Sequence, residues 1–115
     1  MAQGNKDDPL NLTLTEESIL NTILFRERYG LEIMKAIAEA SKGRKNIGFS
    51  SLYPNLRKLE QRGFVTSRWG DETPEENTGA RRRYYQITGS GMAAVNQKQE
   101  YINALQHLIP AIGEP

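Results

Sequence analysis

The stretch that decides the fold is Phe49-Ser-Ser-Leu-Tyr-Pro-Asn-Leu-Arg-Lys-Leu-Glu-Gln-Arg-Gly63. Its leucines recur at the spacing of one helix face, and they are Leu52, Leu56 and Leu59. This pattern predicts one helix over residues 50–62 with an apolar back. Gly63 can adopt a left-handed backbone conformation without strain, so the helix is expected to end there.

The start and the front of this helix carry polar side chains. The hydroxyl of Ser50 or Ser51 can accept a hydrogen bond from a free N–H of the first turn, so either serine is a candidate N-cap. Pro54 has no N–H, and it fits the helix only if it lies within that first turn. The polar, basic front has two interpretations, an ordinary solvated surface or a surface presented to a polyanion.

Two further helices are predicted before this stretch. Thr15 is the candidate N-cap of the first, which is expected to end near Glu27. The second is predicted over residues 30–41, and its apolar face comprises Leu31, Met34, Ile37 and Ala38. Residues 42–48 form a turn with glycine and three cations. Helix, turn and basic helix together indicate a helix-turn-helix arrangement.

After Gly63 the sequence period changes from that of a helix to that of a strand. Residues 64–69 and 81–87 are predicted to form two strands of a hairpin, joined by a long polar loop. The expected inner side carries Tyr85 and Ile87, and the other side carries Arg82, Tyr84 and Gln86. A two-stranded hairpin is marginal alone, so this wing must lean on the helices.

A last helix is predicted over about residues 89–109, with Thr88 as its N-cap. Gly91 weakens its first turn or permits close packing, and the sequence does not decide between the two. Its second half has a broad apolar stripe comprising Tyr101, Ile102, Leu105, Leu108 and Ile109. This stripe either folds back on the first helix of its own chain or pairs with a second copy, and we favour the dimer.

The composition excludes several classes of function. The 115 residues predict one domain with a small core, and the absence of cysteine excludes disulfides and thiolate metal sites. No stretch resembles a membrane span or a signal peptide, so a cytoplasmic protein is expected. His107 is the single histidine, and no acidic cluster has metal-ligand spacing, so we expect neither an enzyme nor a cofactor.

The charge is distributed unevenly, although the formal net charge is only +1. Ten of the fifteen basic residues lie within residues 42–68 and 81–83, where Glu60 is the single acid. A nearly neutral chain can therefore still have one strongly basic face.

At this point the chain resembles the PadR family of winged-helix transcriptional regulators, over roughly residues 15–95. The resemblance rests on four runs: Gly30-Leu-Glu-Ile33, Ser51-Leu-Tyr-Pro-Asn-Leu-Arg-Lys-Leu-Glu60, Gly63-Phe-Val and Arg82-Arg-Tyr-Tyr-Gln-Ile-Thr-Gly-Ser-Gly91. Leu31 departs from the family pattern, which usually has tyrosine there.

The resemblance implies a dimeric DNA-binding repressor, with residues 50–62 as the recognition helix and a homodimer formed through the last helix. The fold class is then mainly α with a small β-hairpin wing. The expected divisions are a flexible tail at 1–13, a winged helix-turn-helix domain at 14–88, and a dimerisation helix and tail at 89–115. The resemblance leaves open whether a small-molecule effector exists, and we infer no pocket for one.

Residue chemistry and the resemblance together select the residues expected to contact double-stranded DNA. They are Arg44, Lys45, Ser50, Ser51, Tyr53, Arg57, Lys58, Arg82, Arg83 and Tyr84. Neutral hydrogen-bonding groups near the helix start suit base edges, and the cations suit phosphates. The alternative is a winged-helix protein-interaction module without DNA binding, which the acidic loop Asp71–Glu76 favours.

Overall fold

The computed structural model describes residues 8–71 and 81–108 of the chain. The helices are α1 (Leu14–Thr22), α2 (Gly30–Ala40), α3 (Phe49–Gln61) and α4 (Gly89–Gln106), and the strands are β1 (Arg28–Tyr29), β2 (Val65–Trp69) and β3 (Arg83–Ile87). The fold is therefore the predicted one, mainly α with a small antiparallel sheet. Most of the predicted loop at 70–80 and the end of the chain from Ile109 lie outside the described residues.

The first helix starts earlier than predicted. Thr13, and not Thr15, is its N-cap: the Glu16 N–H donates to the Thr13 hydroxyl at 3.1 Å, and the Thr13 N–H donates to the Glu16 carboxylate at 2.9 Å. Only Thr13 has a glutamate three residues later, which is the pairing that a capping box needs. Leu12, assigned above to a flexible tail, is buried in the core.

The predicted end of α1 near Glu27 is also wrong, because the helix ends at Thr22. The chain then forms β1, which pairs antiparallel with β3 through Arg28 and Tyr29. The sheet therefore has three strands in the order β1-β3-β2, and β3 lies in the middle. This extra strand joins the wing to the segment between α1 and α2.

The back of α3 closes the core. Its three leucines at 52, 56 and 59 are at most 1% exposed, and they lie among Ile19, Leu20, Ile23, Ile33, Ile37, Phe64, Val65, Tyr85 and Ala94. On α2 the prediction for Leu31 is wrong, since Leu31 is exposed and Ile33 is buried instead. Burial on this scale is what holds a small domain together.

The N-terminal cap of α3 differs from the prediction, whereas the glycine that follows its C-terminus has the predicted conformation. The N-cap is Gly48, which has no side chain, so neither serine caps the helix. Pro54 is the sixth helical residue, beyond the first turn, and it cannot donate to the Ser50 carbonyl. Gly63 has the predicted left-handed conformation, with φ of 79°, and its N–H donates to the Glu60 carbonyl at 3.0 Å.

The last helix starts as predicted, with the Gly91 N–H donating to the Thr88 hydroxyl at 3.0 Å. Gly91 serves close packing, because a Cβ atom there would lie 2.2 Å from the Phe64 carbonyl oxygen. Ala94 is buried, and Lys98 donates to the Leu12 carbonyl at 2.9 Å. All residues from 101 to 108 are exposed.

Candidate nucleic-acid interface

The front of α3 is a continuous exposed surface opposite the buried leucines. It carries five of the residues that the sequence analysis selected, and all are exposed: Ser50, Ser51, Tyr53, Arg57 and Lys58. Arg57 and Lys58 form no ion pair with any carboxylate in the described part of the chain. Their charges are therefore available to an external anion.

The turn before α3 presents two more of the selected cations. Lys42 and Gly43 have positive φ angles of 56° and 80°, which reverse the chain after α2. The Ser41 hydroxyl accepts from the Lys45 N–H at 2.8 Å, and Arg44 Nε donates to the Ser41 carbonyl at 3.1 Å. Both cationic side chains remain exposed close to the start of α3.

The Tyr53 side chain packs against Phe49 and Gly30. Its ring stacks on Phe49 with the centroids 5.7 Å apart and the planes at 17°. Its hydroxyl lies over Gly30, where a Cβ atom would come within 2.2 Å of it. Phe49 is 51% exposed, and it is not among the site residues predicted from the sequence.

One side of the wing faces α3. Arg83 lies over the Trp69 ring at 5.2 Å, donates to the Ser67 hydroxyl at 3.0 Å and approaches the Glu60 carboxylate at 3.9 Å. A groove runs between the wing and α3, lined by Tyr53, Arg57, Glu60, Arg83 and Tyr85. The cation of Arg83 thus lies beside that of Arg57 across this groove.

The other side of the wing carries a series of stacked cations and rings. Arg82 lies over the Tyr29 ring at 4.6 Å, Tyr29 meets Tyr84 edge to face at 5.5 Å, and Arg68 lies over the Tyr84 ring at 4.9 Å. Arg82 and Arg83 therefore lie on opposite sides of the sheet. Tyr84 is half-buried within this series.

The series of stacked cations and rings ends at Arg68, which forms an ion pair with Glu27 that was not predicted from the sequence. Arg68 Nε donates to the Glu27 carboxylate at 3.1 Å, and a second bond joins the same two side chains. Hydrogen bonding from Arg68 lowers the pKa of Glu27, and the carboxylate in turn raises the pKa of Arg68. Residues 41 positions apart give no local sequence signal for such a pair.

The residues selected for dimerisation lie on the second half of α4. Tyr101, Ile102, Leu105 and Leu108 are 44%, 37%, 50% and 71% exposed, while Ile109 lies outside the described residues. The middle of α4 contacts α1 through Lys98, which pairs with Glu17 at 3.4 Å. The described residues of the apolar stripe are thus not covered by the first helix of their own chain.

Two other classes of site, a membrane-spanning helix and a metal centre, need particular groups of residues. Across residues 8–71 and 81–108, no helix is long and apolar enough to cross a membrane. The same residues contain no group of three or more histidine, aspartate or glutamate side chains placed to hold a metal ion.

Comparison with known proteins places this geometry in a family. An uncharacterised protein of Lysinibacillus sphaericus is 32% identical over 79 residues, which are 69% of this chain and 69% of that protein. A transcriptional regulator from Clostridium thermocellum is 29% identical and superposes with a TM-score of 0.68, covering 86% of this chain and 92% of its own. A PadR family transcriptional regulator from Eggerthella lenta shares the fold, with 23% identity, a TM-score of 0.66, and coverage of 80% and 74%.

The family resemblance extends over most of the helix-turn-helix and the wing. The sequence pattern of the transcriptional regulator PadR-like family matches residues 19–97, which include α2, α3, all three strands and the first half of α4. The chain therefore belongs to the PadR-like family of transcriptional regulators.

Proposed function

We propose that the protein binds duplex DNA sequence-specifically as a homodimer and represses transcription from the promoter it occupies. The observation that carries the proposal is the two-sided character of α3. Its back is buried at three leucines, and its front presents Arg57 and Lys58 without carboxylate partners in the described chain. A rigidly held helix with a free cationic front suits insertion into a major groove.

Each part of the surface has a separate task in this proposal. Ser50, Ser51 and Tyr53 lie in the first turns of α3, from which recognition helices contact base edges. Arg44 and Lys45 precede the helix, and they would bind backbone phosphates. Phosphate contacts position a protein on DNA without reading its sequence.

Arg82 lies just before β3 and Arg83 is its first residue, and the two have different tasks because they lie on opposite sides of the sheet. Arg83 shares the groove with Arg57 and would contact phosphate beside the helix. Arg82 and Tyr84 belong to the stacked outer series, and they would contact the flanking backbone at the edge of the wing.

The second half of α4 supports the homodimer. Leu105 follows the buried Ala94 by eleven residues, which is three helical turns, so both lie on the same face. This face packs on the body of its own chain in the first half and is uncovered in the second. A second copy related by two-fold symmetry would cover it and would place two recognition helices on one duplex.

Titration of duplex DNA tests the binding proposal. Duplexes enriched from a random library by the wild-type protein should bind far more tightly than a scrambled duplex. Binding to both should weaken with salt, since cations at phosphates release counterions. If no duplex is enriched while a protein partner binds independently of salt, the protein-interaction function replaces this one.

A charge at the centre of the apolar stripe tests the dimer. Leu105→Glu would bury an unpaired carboxylate in the contact, which is strongly unfavourable. Light scattering at low micromolar concentration should therefore show half the mass of the wild type. Asn96→Glu is the control, because Asn96 is exposed on the opposite face of α4 and its variant should keep the dimer mass. An unchanged mass for Leu105→Glu would contradict the proposed contact.

Repression needs a separate test in transcription. A dimer bound across a promoter would exclude RNA polymerase by occupying the same duplex. Adding the wild-type protein to transcription in vitro from a promoter with the enriched duplex should reduce the transcript, and the Leu105→Glu variant should not. An increase in transcript would identify an activator instead.

A further inference from the structure

Phe49 is a large apolar side chain at the place where a polar one is expected. It is the first residue of α3, and it is 51% exposed although the rest of the helix front is polar or cationic. An exposed phenylalanine costs solubility and adds nothing to the buried core. Its position at the start of α3 is where recognition helices contact base edges.

The phenylalanine is held in a defined position. Its ring is stacked on Tyr53 one helical turn later, with the planes at 17°. Tyr53 is itself fixed at the other end, because its hydroxyl occupies the space that the absent Cβ atom of Gly30 leaves open. A ring with two side-chain torsions, supported in this way, loses little conformational entropy on binding.

The chemistry of Phe49 limits what it can recognise. Phenylalanine has no hydrogen-bonding group, so it cannot read the donors and acceptors of base edges. The apolar feature that B-DNA presents in the major groove is the C5 methyl group of thymine. We propose that Phe49 contacts a thymine methyl group and selects thymine at one position of each half-site. This inference rests on the proposed DNA binding.

Deoxyuridine provides the test, because it keeps the pairing and hydrogen-bonding groups of thymine and lacks the methyl. Each thymine of a duplex enriched by the wild-type protein is replaced in turn, and the dissociation constant is measured. At one thymine per half-site the replacement should weaken wild-type binding about fourfold, as expected for one buried methyl group. The other replacements should change binding less.

Variants of Phe49 separate its contact from any effect of deoxyuridine on the DNA itself. In Phe49→Ala the fourfold ratio between the thymine and deoxyuridine duplexes should disappear. Phe49→Leu keeps a smaller apolar side chain and should retain part of the ratio. If the alanine variant binds too weakly to titrate, a reduced ratio in Phe49→Leu tests the methyl contact instead. Phe25→Ala is the control, since Phe25 is 92% exposed between α1 and β1 and its variant should keep the full ratio.

The outcomes distinguish this inference from the proposed function. If wild type and the Phe49 variants show equal ratios at every thymine, Phe49 does not read the methyl, and DNA binding still stands. If the wild-type protein discriminates at no thymine, the inference is equally overturned. If it enriches no duplex at all, the proposed function fails and this inference fails with it.

Discussion

The cations of α3 and those of the wing differ in what already holds them. Arg57 and Lys58 extend from α3 without a carboxylate or an aromatic ring against them in the described residues. In the wing, Arg68, Arg82 and Arg83 each lie over a ring. Part of the wing's positive charge therefore fixes the wing in place, and counting arginines in a sequence overestimates the charge available to a partner.

The largest expected effect concerns the attachment of the wing at its base. In Gly91→Ala the new Cβ atom would lie 2.2 Å from the Phe64 carbonyl oxygen and 2.7 Å from Ile87, so α4 and the strands must separate. Overpacking of this kind costs about 1–3 kcal/mol. Urea unfolding should show that loss in the free energy of unfolding.

Gly89→Ala is the matched control for that variant. Gly89 lies in the same helical turn, and a Cβ atom there would meet nothing within 4 Å. Its variant should lose no stability and could gain up to about 0.5–1 kcal/mol, because alanine favours a helix over glycine. Equal destabilisation by both substitutions would contradict the packing role of Gly91.

Two substitutions, Arg57→Ala and Arg68→Ala, compare an arginine without an ion-pair partner in the described chain with one that is bonded to a carboxylate. Arg57→Ala should weaken DNA binding and reduce the slope of log affinity against log salt by about 0.9 if Arg57 contacts a phosphate. If it contacts a base edge, the preference for the enriched duplex should fall by about 1–3 kcal/mol instead. Titrations at several salt concentrations on enriched and scrambled duplexes distinguish the two.

Arg68→Ala is expected to leave the salt slope unchanged, because its guanidinium is bonded to Glu27 and stacked on Tyr84. It should lower stability slightly through the loss of these contacts. A reduction of the slope equal to that of Arg57→Ala would mean that a cation bonded to a carboxylate is as available to DNA as a free one.

The smallest expected effect is the pH dependence of the Glu27–Arg68 pair. The pKa of Glu27 is lowered in the folded protein, so the pair stabilises the fold above the ordinary glutamate pKa, about 4.3. That stability is lost as the pH falls through the lowered folded value. Because both side chains are substantially exposed and solvent screens their charges, the pair should contribute little to stability at pH 7.

Urea unfolding of wild type and Glu27→Gln at pH 7 and at pH 3 measures this contribution. The difference in free energy of unfolding should be present at pH 7 and should shrink at pH 3. Glu39→Gln is the control, since Glu39 is exposed and forms no ion pair in the described chain. A difference for Glu27→Gln that grows on acidification would contradict the sign of the pKa shift.

Local features of the sequence predicted most of the fold. The leucine spacing of α3, the left-handed glycine at 63 and the Thr88 cap each depend on residues within a few positions, and each prediction is confirmed. The predicted start of α1 was wrong because two threonines competed, and only Thr13 had Glu16 at the distance that a capping box requires. The predicted caps Ser50 and Ser51 were wrong because Gly48 is the N-cap, and α3 begins at Phe49, before either serine.

The sequence by itself determined the helix-turn-helix, the hairpin and the basic character of α3, because periodicity and turn chemistry are local. Only the tertiary structure decided which charges are free. Three contacts join residues that lie far apart in the chain. They are the pairing of β1 with β3, the hydrogen bond from Arg68 to Glu27, and the packing of the Tyr53 hydroxyl against Gly30. These contacts exist only after the core has closed, since burial of the apolar faces brings the segments together.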